Sequence, residues 1–96
     1  TAGTICIAAN ALKEQGAKDI YVACSHPILS PPANDRIEAS AIKELVCTNS
    51  IKLLDERKTS KIIQLSIAKI FGKGILNIID GKPISDLFLY DPTIRY

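Results

Sequence analysis

The sequence has no surplus of charge of either sign, a single histidine, only three cysteines and no long apolar run. Twelve basic residues against ten acidic ones leave a formal charge of +2. The basic residues are scattered and form no concentrated stripe, which argues against a nucleic-acid partner. No stretch approaches the roughly 18 to 20 apolar residues of a spanning helix. No signal-peptide pattern opens the chain either, so a cytoplasmic protein without a membrane partner is expected. Cys6, Cys24 and Cys47 are odd in number and far apart, each among apolar neighbours. They read as three buried, reduced thiols, with no disulfide framework and no metal site. What remains is a sequence of 96 residues, 47% hydrophobic and 23% charged, without a disorder signature. It fits one small domain or part of one.

Periodicity supplies the elements. Ile5, Ala8, Ala9 and Leu12 recur at helical spacing with Asn10, Lys13, Glu14 and Gln15 opposite, and Gly16 offers the left-handed residue that ends a helix. Ile20-Tyr21-Val22-Ala23-Cys24 lacks polar alternation and predicts a strand covered on both faces. Three prolines in residues 25–32 forbid regular structure until Ser30 can cap a helix over about 32–40. Residues 44–48 read as a buried strand, and the charged run 52–61 as a solvated loop. Residues 62–65 form a third strand. Ser66 can cap a last helix with a core face of Ile67, Ile70, Phe71, Gly74, Ile75 and Ile78, in which Gly72 and Gly74 either permit close packing or weaken the helix. A turn at 80–83 leads to a short closing segment, 84–88, and a tail, 89–96. This order predicts an α/β fold with a mostly parallel sheet and flanking helices.

Ligands of such sheets bind beyond the carboxyl ends of the strands, which puts residues 1–4, 25–32 and 48–50 on one rim. Thr1-Ala2-Gly3-Thr4 runs directly into the first helix, and a short Thr/Gly entry of this kind presents bare N–H groups to a phosphate. Such a loop ordinarily follows a strand, so the chain reads as part of a larger protein. The same four residues are also compatible with a terminus that simply caps the helix. His26 reads as a structural histidine, and Arg36 and Arg57 as surface arginines that could meet a phosphate.

Several blocks in register resemble the C-terminal third of the ribose-phosphate pyrophosphokinases, the phosphoribosyl pyrophosphate synthetases. They are Thr1-Ala2-Gly3-Thr4-Ile5, Ala11-Leu12-Lys13-Glu14-Gln15-Gly16-Ala17, Ser25-His26-Pro27-Ile28-Leu29-Ser30, Ile42-Lys43-Glu44-Leu45-Val46-Cys47-Thr48-Asn49-Ser50-Ile51, Gln64-Leu65-Ser66-Ile67-Ala68 and Ile84-Ser85-Asp86-Leu87-Phe88. The resemblance covers residues 1–88 and leaves 89–96 as an added tail.

The resemblance implies a type I phosphoribosyltransferase-like fold, of which this would be an incomplete C-terminal portion. It implies transfer of the diphosphoryl group of ATP to ribose 5-phosphate with Mg²⁺, a step of nucleotide biosynthesis, in homo-oligomers of dimers assembled to hexamers. Thr1, Ala2, Gly3 and Thr4 match the end of the family's motif that wraps the 5-phosphate. The acidic half of that motif, the catalytic loop, the metal ligands and the ATP-binding loop would lie outside these residues, so no catalytic residue and no metal ligand is assigned here. Ser85 and Phe88 match part of a closing pattern that forms a regulatory site between subunits. Pro83 stands at its first serine position, Pro31 replaces a usual glycine, and Gly72 and Gly74 replace common alanines. Two alternatives are a non-catalytic synthetase-associated regulatory protein and another type I phosphoribosyltransferase.

Overall fold

A computed structural model describes residues 1–54 and 59–88. Arg57 and the tail lie outside the described residues. The chain divides into two compact units, Thr1–Leu65 and a second one from Ser66 onward.

The first unit holds α1 (Gly3–Glu14), β1 (Tyr21–Cys24), α2 (Ala33–Ala39), β2 (Glu44–Thr48) and β3 (Ile62–Leu65). The strands form one parallel sheet in the order β1-β2-β3, with Val22 opposite Leu45 and Leu45 opposite Ile62. Parallel register puts Val22, Leu45 and Ile62 on one face, because side chains alternate along each strand. That face meets Cys6 and Ala9 of α1 and Ala33 and Ile37 of α2, with Ile20, Leu29, Ile42, Cys47 and Leu53 completing the core. The expected α/β class and parallel sheet are therefore present.

Three details differ from the sequence reading. β1 is an edge strand, and Tyr21, Ala23 and Cys24 are exposed; within this unit only one face of the sheet is covered by helix. Cys24 lies at the end of that strand, so two thiols, Cys6 and Cys47, are buried and the third is exposed, all three unpaired. The core stripe of α1 runs through Ala2, Ile5, Cys6 and Ala9, while Ala8 and Leu12 face outward. Gly16 does end α1 as expected. Its φ of +100° is left-handed, and the N–H groups of Gly16 and Ala17 donate to the carbonyls of Lys13 and Leu12.

In the second unit, α3 (Ala68–Ile79) is followed by a 3₁₀ turn, Ile84–Phe88. The N-cap of α3 is Ile67 and not the expected Ser66, whose Oγ accepts from the Ala68 N–H at 3.2 Å from one position earlier. The inward stripe of α3 passes through Ile67, Ile70, Gly74 and Asn77, whereas Phe71, Ile75 and Ile78 are exposed. Asn77 is buried because its Nδ2 donates to the Pro83 carbonyl at 3.1 Å and holds the turn after the helix.

Candidate functional site

α1 begins at Gly3, and its first internal hydrogen bond runs from the Cys6 N–H to the Ala2 carbonyl. The N–H groups of Gly3, Thr4 and Ile5 therefore stand outside the helical ladder, at the positive end of a 12-residue helix dipole. Ala2 enters the helix with φ 63° and ψ 12°. For a residue with a Cβ this left-handed geometry costs about 1–2 kcal/mol. Among the described residues, Leu29 is the other non-glycine residue with positive φ, at 46°. Both line one open cleft of about 390 Å³, together with Thr1, Gly3, Thr4, the end of β1 and His26. Strained backbone of this kind concentrates at ligand-binding rims.

The rim on the β2 side is tied by side chains. Thr48 Oγ1 and Ser50 Oγ both donate to the Ser25 carbonyl, the latter at 3.2 Å, and the Ser50 N–H donates to Thr48 Oγ1. His26 Nδ1 and Ser50 Oγ share a hydrogen bond of 2.7 Å. Gln64 Nε2 reaches the carbonyls of Thr48 and Ile51 and secures the same turn from β3. The three rim segments expected from sequence thus adjoin one another, and His26 has the structural anchoring expected of it.

Arg36 was missed as a neighbour of this loop. It projects from α2 so that Nη1 donates to Thr1 Oγ1 at 3.0 Å and to the Thr1 carbonyl at 3.4 Å. No local pattern could reveal this, since the partners are 35 residues apart. Cys24, at the cleft wall, faces Cys47 across the sheet. Burial raises both thiols above the ordinary cysteine range, Cys47 also through its proximity to Cys24. Both stay protonated near neutral pH and are poor nucleophiles. Among the described residues no three His, Cys, Asp or Glu side chains gather as a metal site. Ser85 and Phe88 are exposed on the 3₁₀ turn of the second unit. No helix among the described residues is long and apolar enough to cross a membrane.

A family model described as the phosphoribosyl synthetase-associated domain matches residues 1–89. The chain is 57% identical over 88 residues to ribose-phosphate pyrophosphokinase 2 of Enterococcus faecalis, covering 92% of this chain and 27% of that protein. It is 52% identical to the ribose-phosphate pyrophosphokinase of Bacillus caldolyticus, covering 92% of this chain and 28% of the relative. The crystal structure of phosphoribosylpyrophosphate synthetase from Mycobacterium smegmatis superposes with a TM-score of 0.83 at 33% identity, over 84% of this chain and 27% of that one. The chain thus spans little more than a quarter of the length of these relatives. With a model that accounts for 1–89 and relatives that agree in name across both units, the chain belongs to the phosphoribosyl synthetase-associated family.

Proposed function

We propose that this chain is the C-terminal part of a ribose-phosphate pyrophosphokinase and carries the loop that grips the 5-phosphate of ribose 5-phosphate. The observation that carries the reading is the entry to α1, where the N–H groups of Gly3, Thr4 and Ile5 open onto a cleft shaped by the two left-handed residues Ala2 and Leu29. Those N–H groups and the hydroxyls of Thr1 and Thr4 match the donors that a phosphate dianion accepts. The curated relatives, named as pyrophosphokinases, favour this reading over a regulatory protein or another phosphoribosyltransferase.

The chain's own share of the reaction is binding and orientation. Transfer from ATP to the sugar hydroxyl depends on holding the acceptor still and neutralising charge. The loop fixes the far end of the sugar. In this reading Mg²⁺, the ATP contacts and the groups that meet the reacting hydroxyl belong to residues outside this chain. Cytoplasmic location, assembly into dimers and hexamers, and a regulatory role for Ser85 and Phe88 belong to the same proposal.

The test is Thr4→Val in the full-length protein, which keeps the side chain's shape and removes its hydroxyl. The KM for ribose 5-phosphate should rise about tenfold, the worth of one charge-assisted hydrogen bond, while the KM for ATP holds. An unchanged ribose 5-phosphate KM refutes the phosphate role of the loop.

A further inference from the structure

We propose that Arg36 is a positioning residue for phosphate binding, its guanidinium holding residues 1–3 in their ligand-ready shape and supplying a cation at the loop's edge. The inference rests on the phosphate reading of residues 1–4 and deepens it.

Three observations converge on this side chain. First, Nη1 bridges both the hydroxyl and the carbonyl of Thr1, at 3.0 and 3.4 Å, so it fixes the residue immediately before left-handed Ala2. Second, a Cβ placed on Gly3 would stand 3.0 Å from Nη1 and 3.8 Å from Cζ of Arg36. That approach is tight enough that the guanidinium would have to shift by a few tenths of an ångström. Gly3 has a negative φ and needs no glycine for its backbone conformation. Its missing side chain is instead the seat on which the guanidinium lies. Third, the charge of Arg36 is not spent elsewhere. The ion pair found among the described residues joins Lys43 to Asp19, and none involves Arg36. A guanidinium has five N–H donors in a fixed fork. Nη1 is engaged with Thr1, and the others find no partner among the described residues.

A cation so held adds to the field of the α1 dipole at the same point. A phosphate monoester, twice negative near neutral pH, gains from both. Because the arginine also braces Thr1, its loss should loosen the loop and weaken the field together, with no consequence for the remote ATP end of the reaction.

The experiment is a double-mutant cycle in the full-length protein, with Arg36→Gln, Gly3→Ala and the pair, read as KM for ribose 5-phosphate, KM for ATP, kcat and melting temperature. Arg36 is exposed, so Arg36→Gln leaves the fold intact and remains informative by itself. It should raise the ribose 5-phosphate KM about tenfold, with the ATP KM, kcat and melting temperature unchanged. Gly3→Ala should raise the same KM in the parent protein and add little once Arg36 is gone, because its effect acts through the guanidinium. Effects that simply multiply overturn the inference. So does a change confined to kcat or melting temperature. An unchanged KM in Arg36→Gln beside a raised KM in Thr4→Val overturns this inference alone; unchanged KM in both overturns the phosphate reading beneath it.

Discussion

Lys61 shows how a single side chain can stabilise a place that the sequence leaves unmarked. Its ammonium donates to three carbonyls at the end of α2, those of Ile37, Glu38 and Ser40, at 3.2, 3.1 and 3.1 Å. α2 is only seven residues long and ends without a left-handed residue, its last position leading to extended Ser40. The orphan carbonyls of a helix end need donors, and a cation there also opposes the negative end of the dipole. Read from the sequence, Lys61 is merely the last member of a charged run. The reason is geometric: its partners are 21 to 24 residues away, and no short-range pattern encodes that. Lys61→Met keeps the half-buried stem and removes the donors. It should destabilise the fold by about 1–2 kcal/mol, within the range for leaving polar groups unsatisfied, as measured by denaturant unfolding. A loss no larger than that of an ordinary surface substitution would show the three contacts to be incidental. Arg36 and Ser50 were hidden from the sequence for the same reason, since each acts on a residue at least two dozen positions distant.

At the scale of elements, strands were legible where short apolar runs lie between turn formers, as at Tyr21–Cys24, Glu44–Thr48 and Ile62–Leu65. Helix faces were less so. In α1 two stripes compete, one through Leu12 and one through Cys6, and they share Ile5 and Ala9. Burial selects the stripe with cysteine and alanine, whose small side chains let α1 lie close to the sheet. α3 poses a similar ambiguity. Lys69, Lys73 and Asn77 recur at four-residue spacing as one polar line on an otherwise apolar helix, so the sequence marks Asn77 as outward, whereas the structure buries it. Its two interior glycines now separate. A Cβ at Gly72 meets nothing within 4 Å, and one at Gly74 touches Leu87 Cδ1 at an ordinary 3.6 Å. Neither glycine is required for packing within this unit. Gly72→Ala should therefore stabilise the protein by about 0.5–1 kcal/mol, through better helix propensity and a less flexible unfolded chain. Thermal unfolding of the full-length variant checks this, and a lower melting temperature would reveal an approach to this position from elsewhere in the protein.

At the scale of the whole first unit, the proposed phosphate loop sits on an open parallel sheet. α1 and α2 pack on the same covered face, and successive parallel strands joined by right-handed crossovers advance in one direction. By that rule β1→α2→β2 steps one way, and among the described residues the other edge of β1 carries no strand. The described residues offer the cleft a histidine bonded to Ser50, the protonated thiol of Cys24, hydroxyls and backbone donors. Among the described residues these groups do not make up the several cations in fixed positions that neutralising a transferring diphosphate calls for. The 96-residue chain alone should therefore form no phosphoribosyl pyrophosphate from ATP, Mg²⁺ and ribose 5-phosphate, while the full-length protein does. Product chromatography of the two preparations at equal molar concentration decides it. Turnover by the isolated chain above the background without protein would mean that catalytic groups lie within these residues, and the division between grip and chemistry would have to be redrawn.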